Sequence, residues 1–343
     1  ASYILPGHDD HPAEHNYGGW ASSQLLVTGL LGHYAKEVHL WSFPGGERVR
    51  TIGFGAPTRW QIGNDRLFAD ITEADAAGNL KGYQLRSWQL PDGPAEELGT
   101  VDLTTHGNSF TVFDTEGPGW AYGRGEEIFY RSLPIRQDVP ERLIGFHFDG
   151  VASWRLLTKS ARLWTRGASS GEIRLWDFSA QGTRPLKVVV PPTGVSSETS
   201  LTPSPDDRWV TNLTSPEASV SLRDYPPIQH ALLWDLRAWQ EARPLTLKRS
   251  GSWFLASSAF HPRGDWVVAT TFGRSRLTFW PLRGTRSVIV EGYSSKAFRP
   301  LEFSPDGRWL GTTWPDNSVR LWPLTEREGL DVRTLPLPSL PDT

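Results

Sequence analysis

The stretch from Leu301 to Trp322 reads LEFSPDGRWLGTTWPDNSVRLW, and its punctuation decides the fold class. Leu301-Glu302-Phe303 alternates apolar, polar, apolar, as a half-buried strand does. Ser304-Pro305-Asp306-Gly307 suits a type I turn, with proline presetting φ at the second position and glycine closing it. Trp309 to Thr313 reads as a second strand, Pro315-Asp316-Asn317 as another turn, and Ser318 to Trp322 as a third strand. Three strands within 22 residues make a β-meander.

With Asp316 six residues before the Trp322 that ends Val-Arg-Leu-Trp, this stretch resembles one blade of the WD-repeat β-propellers. The resemblance implies four-stranded blades and, in each, a buried hydrogen-bonded set of tryptophan, turn aspartate, Ser or Thr, and histidine. Here the signature dipeptide survives as Trp176-Asp177 and Trp234-Asp235, and no single repeat holds the whole set. Stability is then expected to rest on sheet packing and aromatic residues.

Working outward, the aromatic that closes each third strand recurs as Trp41, Trp88, Tyr130, Trp176, Trp234, Trp280 and Trp322, at intervals of 47, 42, 46, 58, 46 and 42. That period matches a four-stranded unit with its loops. Each anchor is followed by a further strand-like run: Arg48 to Ile52, Glu97 to Leu103, Arg142 to Phe146, Leu186 to Val190, Leu245 to Lys248, Ser287 to Val290, and Val332 to Leu335. The expectation is one domain over 1–343, an all-β, seven-bladed β-propeller of four-stranded antiparallel blades, with an extended proline-rich tail at 336–343. Either Tyr3-Ile4-Leu5-Pro6-Gly7-His8, which resembles an outer strand running into the next blade, or Val332 to Leu335 could close the seventh blade, and spacing favours the C-terminal segment.

At 343 residues the chain exceeds the usual size of one compact core, which suits radial repetition. Thirty-five basic against 38 acidic residues give a net charge of -3, lacking the electrostatic footprint of a general nucleic-acid binder. No run approaches the roughly 18 apolar residues of a membrane span, so no membrane contact is expected. Zero cysteines exclude disulfides, thiolate metal sites and cysteine catalysis. Arginine outnumbers lysine 29 to 6, a compositional bias read as bacterial coding.

Several motifs carry letters of chemistry without its context. His8, His11 and His15, with Asp9, Asp10 and Glu14 between them, offer imidazole and carboxylate suited to zinc or nickel, but in no diagnostic spacing. His8 also belongs to the repeat, so a solvated loop is the preferred reading. Gly167-Ala168-Ser169-Ser170-Gly171 matches the nucleophile elbow, which requires a strand-to-helix turn where a strand-to-strand link is expected. Arg263-Gly264-Asp265 reads as a hairpin turn, and Gly123-Arg124-Gly125 lacks the third glycine and the helix of a phosphate loop. No cofactor and no catalytic set is expected.

Seventeen tryptophans are mostly spent on anchors and on the shared position of Trp209, Trp266 and Trp309. Those left over fall near predicted loops: Trp253 with Phe254, Phe272 with Arg274, Tyr293, Phe298 with Arg299, and Trp314. Exposed aromatics and arginines are the residue types that anchor partners. The extra length of the 58-residue interval lies in Ser215 to His230, which places Arg223 and Tyr225 beside that face. The resemblance to WD-repeat proteins implies non-catalytic recognition of a protein or peptide, cytoplasmic, as a docking or sensing module fused to or paired with an enzymatic domain in a bacterial signalling polypeptide. The alternative is a propeller enzyme or metal-binding protein with its site at the N-terminal His/Asp cluster or in a central channel.

Overall fold

The computed structural model describes residues 3–5, 16–30, 35–63, 65–102, 108–114, 119–157, 162–178, 182–190, 201–206, 208–213, 230–235, 245–248, 255–271, 276–282, 288–291, 302–313 and 319–324. Every regular element among them is a strand.

After β1 (Tyr3–Leu5), the first sheet runs through β2 (Asn16–Ser22), β3 (Leu25–Leu30), β4 (Ala35–Ser42), β5 (Arg48–Gly63), β6 (Arg66–Ala74), β7 (Leu80–Gln89) and β8 (Ala95–Asp102). The second holds β9 (Asn108–Asp114), β10 (Gly119–Arg124), β11 (Glu127–Ser132) and β12 (Arg142–Phe146). The third holds β13 (Val151–Leu157), β14 (Arg162–Gly167), β15 (Ile173–Asp177) and β16 (Lys187–Val189). The fourth is β17 (Leu201–Pro203), β18 (Trp209–Leu213), β19 (His230–Asp235) and β20 (Leu245–Lys248). The fifth is β21 (Leu255–Phe260), β22 (Trp266–Thr271), β23 (Arg276–Pro281) and β24 (Val288–Glu291). The sixth joins β25 (Glu302–Phe303), β26 (Trp309–Thr313) and β27 (Val319–Pro323) to β1. All pairings are antiparallel, and neighbouring strands follow one another in sequence except where β1 meets β27.

This corrects the expected architecture. The seven-bladed propeller of four-stranded blades is not what the pairing shows: the described residues form six discrete sheets, five of four strands and one of seven, and none closes into a ring or barrel. The reason lies in β5. Its first half pairs with β4, from Trp41↔Arg48 to Glu37↔Gly53, and its second half pairs with β6, from Thr58↔Ile71 to Gly63↔Arg66. Two runs separable by their spacing are therefore one 16-residue strand, bent at Gly55 with φ of 79° rather than broken by a turn.

The second correction concerns the strand beside β27. Tyr3–Leu5 fills that position, in the register Tyr3↔Leu321, Ile4↔Arg320 and Leu5↔Val319. Val332 to Leu335, favoured for it on spacing, lies outside the described residues, as does the tail 336–343.

Hydrogen bonds hold each sheet internally, and side chains join the sheets by their faces. Phe68 and Leu98 of the first sheet pack with Phe113, Trp120 and Phe129 of the second. Ile128 and Ile144 of the second pack with Leu163 and Trp176 of the third. Trp164 and Ile173 meet Val210 and Trp234 of the fourth, and Trp209 meets Val267 and Trp280 of the fifth. Val268 and Phe279 share a cluster with Leu310 and Trp322 of the sixth, whose Val319 and Leu321 pack with Trp20 and Trp41 of the first. Each well-buried large side chain contributes about 1.5–3 kcal/mol, so these contacts are the main term holding sheet to sheet.

The seven aromatic anchors all lie on strands. Three direct their indole N–H at a threonine two residues beyond their cross-strand partner: Trp41 to Thr28 at 2.8 Å, Trp176 to Thr165 at 2.7 Å, and Trp322 to Thr312 at 2.9 Å. At the matching position of the fifth sheet stands Ala269, and the Trp280 indole N–H has no partner among the described residues. The tryptophan–threonine pair of the expected set is therefore present in these three repeats.

Ser304-Pro305-Asp306-Gly307 does form the expected turn. The Ser304 hydroxyl donates to Asp306 at 2.6 Å and accepts from the Trp309 amide at 3.0 Å, while Asp306 also accepts from the Arg308 amide at 3.1 Å. Ser204, Asp206, Arg208 and Trp209 repeat these contacts in the fourth sheet. Gly307, at φ 72°, cannot carry a side chain, since a Cβ there would lie 2.4 Å from His261 Nε2. The histidine occupies that space and approaches the Gly307 carbonyl oxygen at 3.2 Å, linking the turns of the fifth and sixth sheets.

Where the sixth sheet meets the first, the half-buried Glu302 points its Oε2 into an interior where that atom has no hydrogen-bond partner among the described residues. The oxygen lies against Gly19, with Ile62 beside the same glycine. Burial pushes this carboxyl up to about 8, although the Trp20 amide pulls the other way.

Two outcomes are expected. Thr165→Val strands the buried Trp176 indole N–H and lowers stability by about 1–3 kcal/mol, as read by urea unfolding. Glu302 ionises near 4.5 when unfolded and near 8 when folded, so the folded state retains a proton that the unfolded state has lost. Stability contributed by Glu302 therefore falls as pH rises from about 4.5 to about 8 and levels off above that. Glu302→Gln should flatten this slope and raise the melting temperature at pH 8; an unchanged slope would refute the assignment.

Candidate recognition surface

The Gly-x-Ser-x-Gly segment, Gly167 to Gly171, is the hairpin turn between β14 and β15. Asp149, from the connection between β12 and β13, reaches into it. Its Oδ2 accepts the amides of Ser169 at 2.8 Å and Ser170 at 2.6 Å, and its Oδ1 lies 2.9 Å from His147 Nδ1. Burial works against this carboxylate, but the serine amides, the Ser170 hydroxyl and His147 together hold it at about 2. A Cβ on Gly167 would lie within 2.6 Å of Ser170 Oγ, Asp149 Oδ1 and His147 Cε1, so glycine is required there.

Serine, histidine and aspartate thus meet, but not in an order that does chemistry. His147 Nε2 faces the Glu172 carbonyl oxygen at 3.2 Å, not a serine hydroxyl. The Ser170 hydroxyl accepts from the Glu172 amide at 3.1 Å. A nucleophile needs its base within hydrogen-bond reach and its oxyanion donors at a helix N-terminus, whereas here the strand passes directly into another strand. Burial and the nearby Arg174 lower the His147 pKa below the ordinary value, so the imidazole is neutral near pH 7. The arrangement builds a turn, and it also aims the intervening residue, Phe148, outward.

Phe148 is 73% exposed, with its ring 5.5 Å from the Arg174 guanidinium. Arg174 is held by Glu172 and by the Phe146 carbonyl oxygen. Across the sheet, Arg174 is paired in register with Val188 of β16. Leu186 and Val190 flank β16 on either side of Lys187–Val189. Leu186, Val188 and Val190 are 48%, 44% and 71% exposed. Six large apolar side chains are well exposed among the described residues, and these four make up the group gathered around Arg174.

The two other outer strands whose side chains are described throughout, β8 and β12, do not present such a face. On β8 the exposed positions are Ala95, Glu96, Glu97, Thr100 and Asp102, with Leu98 and Val101 turned inward. On β12 no residue is fully exposed. Only inward-facing Val189 of β16 joins the core, against Trp164, Ile173, Val210 and Trp234.

The residues singled out from sequence as partner contacts, Trp253, Phe254, Phe272, Arg274, Tyr293, Phe298, Arg299, Trp314, Arg223 and Tyr225, all lie outside the described residues, as do His8, His11 and His15. Among the described residues no group of three or more His, Cys, Asp or Glu side chains is placed to hold a metal. No helix there is long and apolar enough to cross a membrane. Arg263-Gly264-Asp265 is a turn, with Asp265 3.0 Å from His261 Nδ1. Gly123-Arg124-Gly125 belongs to the β10–β11 hairpin, where Arg124 bonds Glu141 at 3.0 Å and covers the Phe129 ring. Sequence reasoning passed over Phe148 and the outward face of β16. The alternation around Val188 signalled a strand, but only the pairing reveals which face is left uncovered.

Asp149 supplies a second pH dependence of opposite sign. Its folded pKa of about 2 lies below the ordinary 3.8, so its contribution is fully present above about 4 and disappears as pH falls through about 2. Asp149→Asn is expected to destabilise the fold at pH 7 and to match the parent protein near pH 2. Urea unfolding at both pH values checks this, and a gap that persists at the acid end would contradict it.

No family model matches the chain, and the expected membership among WD-repeat β-propellers falls with the six-sheet pairing and this result. The chain is 28% identical over 197 residues to the protein transport protein SEC31 of Eremothecium gossypii, a likeness that covers 54% of this chain and 15% of that protein.

Proposed function

We propose that the chain is a non-catalytic scaffold that recognises a protein or peptide partner. The observation that carries this reading is the concentration of exposed apolar side chains around Arg174, since soluble surfaces gather such residues mainly where something binds. The partial likeness to a protein-transport protein supports it. So does the Ser169/Ser170/His147/Asp149 geometry, which spends its polar groups on a turn. The aromatic and arginine residues Trp253, Tyr225 and Arg299 form a second candidate contact set. The same reading includes a cytoplasmic location and service as the recognition module of a larger polypeptide.

The test is affinity capture with the intact protein, with Phe148→Ser/Val188→Thr, and with Trp253→Ala/Arg299→Ala/Tyr225→Ala, each first shown to be folded by circular dichroism. A partner retained by the intact protein and lost by the first variant supports the surface around Arg174. Loss by the second variant alone moves recognition to the loop residues. Capture of nothing by the intact protein overturns the proposal.

A further inference from the structure

Two of the junctions between sheets are crossed by hydrogen bonds from groups that do not titrate. Gln61 of β5 exchanges two bonds with the backbone of Phe113 in β9, at 2.9 and 3.1 Å, joining the first sheet to the second. Thr202 of β17 and Ser258 of β21 join the fourth to the fifth through their hydroxyls at 3.0 Å. Where the sixth sheet meets the first, the Trp20 amide of β2 bonds a carboxyl instead, that of Glu302 in β25. The other carboxyl oxygen is buried without a partner among the described residues, and so is the Trp20 indole N–H. The carboxyl lies against Gly19 of β2, with Ile62 of β5 beside the same glycine, and Gly311 of β26 stands opposite Glu302 in register. None of these neighbours titrates, and among the described residues no charged side chain acts on the carboxyl.

An ionised Glu302 leaves a charged oxygen in that interior with no donor, an arrangement far costlier than the neutral acid. Parting the two sheets relieves it, because water then reaches both the carboxylate and the Trp20 indole. No strand pairing is broken, since β2 and β25 belong to different sheets. What separates is the apolar cluster in which Trp20, Leu26, Trp41 and Phe43 meet Val319 and Leu321. Exposing that cluster keeps the open form rare, and ionisation multiplies its population.

We propose that this junction is a pH-operated gate, shut while Glu302 is neutral and opened locally, with the other sheets still packed, when Glu302 ionises. This goes beyond a change in overall stability, because one junction responds and the rest do not. Alkaline conditions thereby bare an indole-rich surface that acid conditions keep covered.

The absence of cysteine lets a single introduced thiol report each junction. Val319→Cys places one between the sixth and first sheets, and Val210→Cys places one between the third and fourth. Each folded variant is labelled with an aromatic disulfide, and the rate is divided by that of the same variant unfolded in urea, which cancels thiol ionisation. From about pH 6 to about pH 9 the accessible fraction at Val319→Cys is expected to rise about a hundredfold, the factor set by a carboxyl that ionises near 8 when buried and near 4.5 when hydrated. At Val210→Cys it should hold level, and adding Glu302→Gln should abolish the rise at Val319→Cys. In the unsubstituted protein, hydrogen exchange of the Trp20 amide should lose protection by the same factor, which keeps the test decisive if a variant misfolds. A parallel rise at Val210→Cys overturns the gate, since Glu302 would then act on the whole fold. Level labelling at Val319→Cys overturns it too, as does a rise that survives Glu302→Gln.

Discussion

Everything in this structure depends on the contact between sheet faces. Within each sheet the backbone pairs mostly with itself, so it contributes little to the bond between one sheet and the next beyond contacts such as the Ile135 amide on the Leu98 carbonyl oxygen. That bond is made by side chains, and most sharply where an indole replaces a missing side chain. Trp176 of β15 lies so close to Gly145 of β12 that a Cβ on the glycine would be 1.9 Å from the ring. The second and third sheets approach to the width of one tryptophan, and the same pair of sheets carries the exposed Phe148 on its connection.

Aspartate is used repeatedly to finish what the backbone leaves open. Asp206 and Asp306 each collect a serine hydroxyl and an amide within their own turns. Asp149 does comparable work at a distance, collecting two amides from a turn about twenty residues ahead and tying the linker between two sheets to a hairpin of the second of them. A carboxylate that accepts amide hydrogens is stabilised in its charged form. Glu302, with a buried oxygen that accepts nothing among the described residues, is held in its neutral form by burial. The two acids titrate in opposite directions because one was given several donors, while for the other burial outweighs the single Trp20 amide.

The sequence was readable wherever one residue type has one physical use. Tryptophan at the close of a strand, and Ser-Pro-Asp before the next, placed strands and turns correctly at Trp322 and Ser304. It misled where spacing alone carried the argument. Gly55 bends β5 without ending it, and the period could not show that one strand serves both halves of a seven-stranded sheet. Spacing likewise favoured a local strand beside β27, when Tyr3–Leu5 from the opposite end fills that place. The candidate surface was hidden for a related reason. A valine that is buried and one that is exposed look alike until the neighbouring strands are known, and Val188 differs from Val189 only in the face it occupies.

The pairing of Tyr3–Leu5 with Val319–Leu321 also has a meaning for synthesis. Closing a loop of that length costs little more entropy than closing a much shorter one, but it takes place last. During translation the strand Tyr3–Leu5 emerges early and waits, unpaired, through the making of the other five sheets. Until β27 leaves the ribosome, that short strand is an adhesive end available to any exposed edge, including that of another nascent copy.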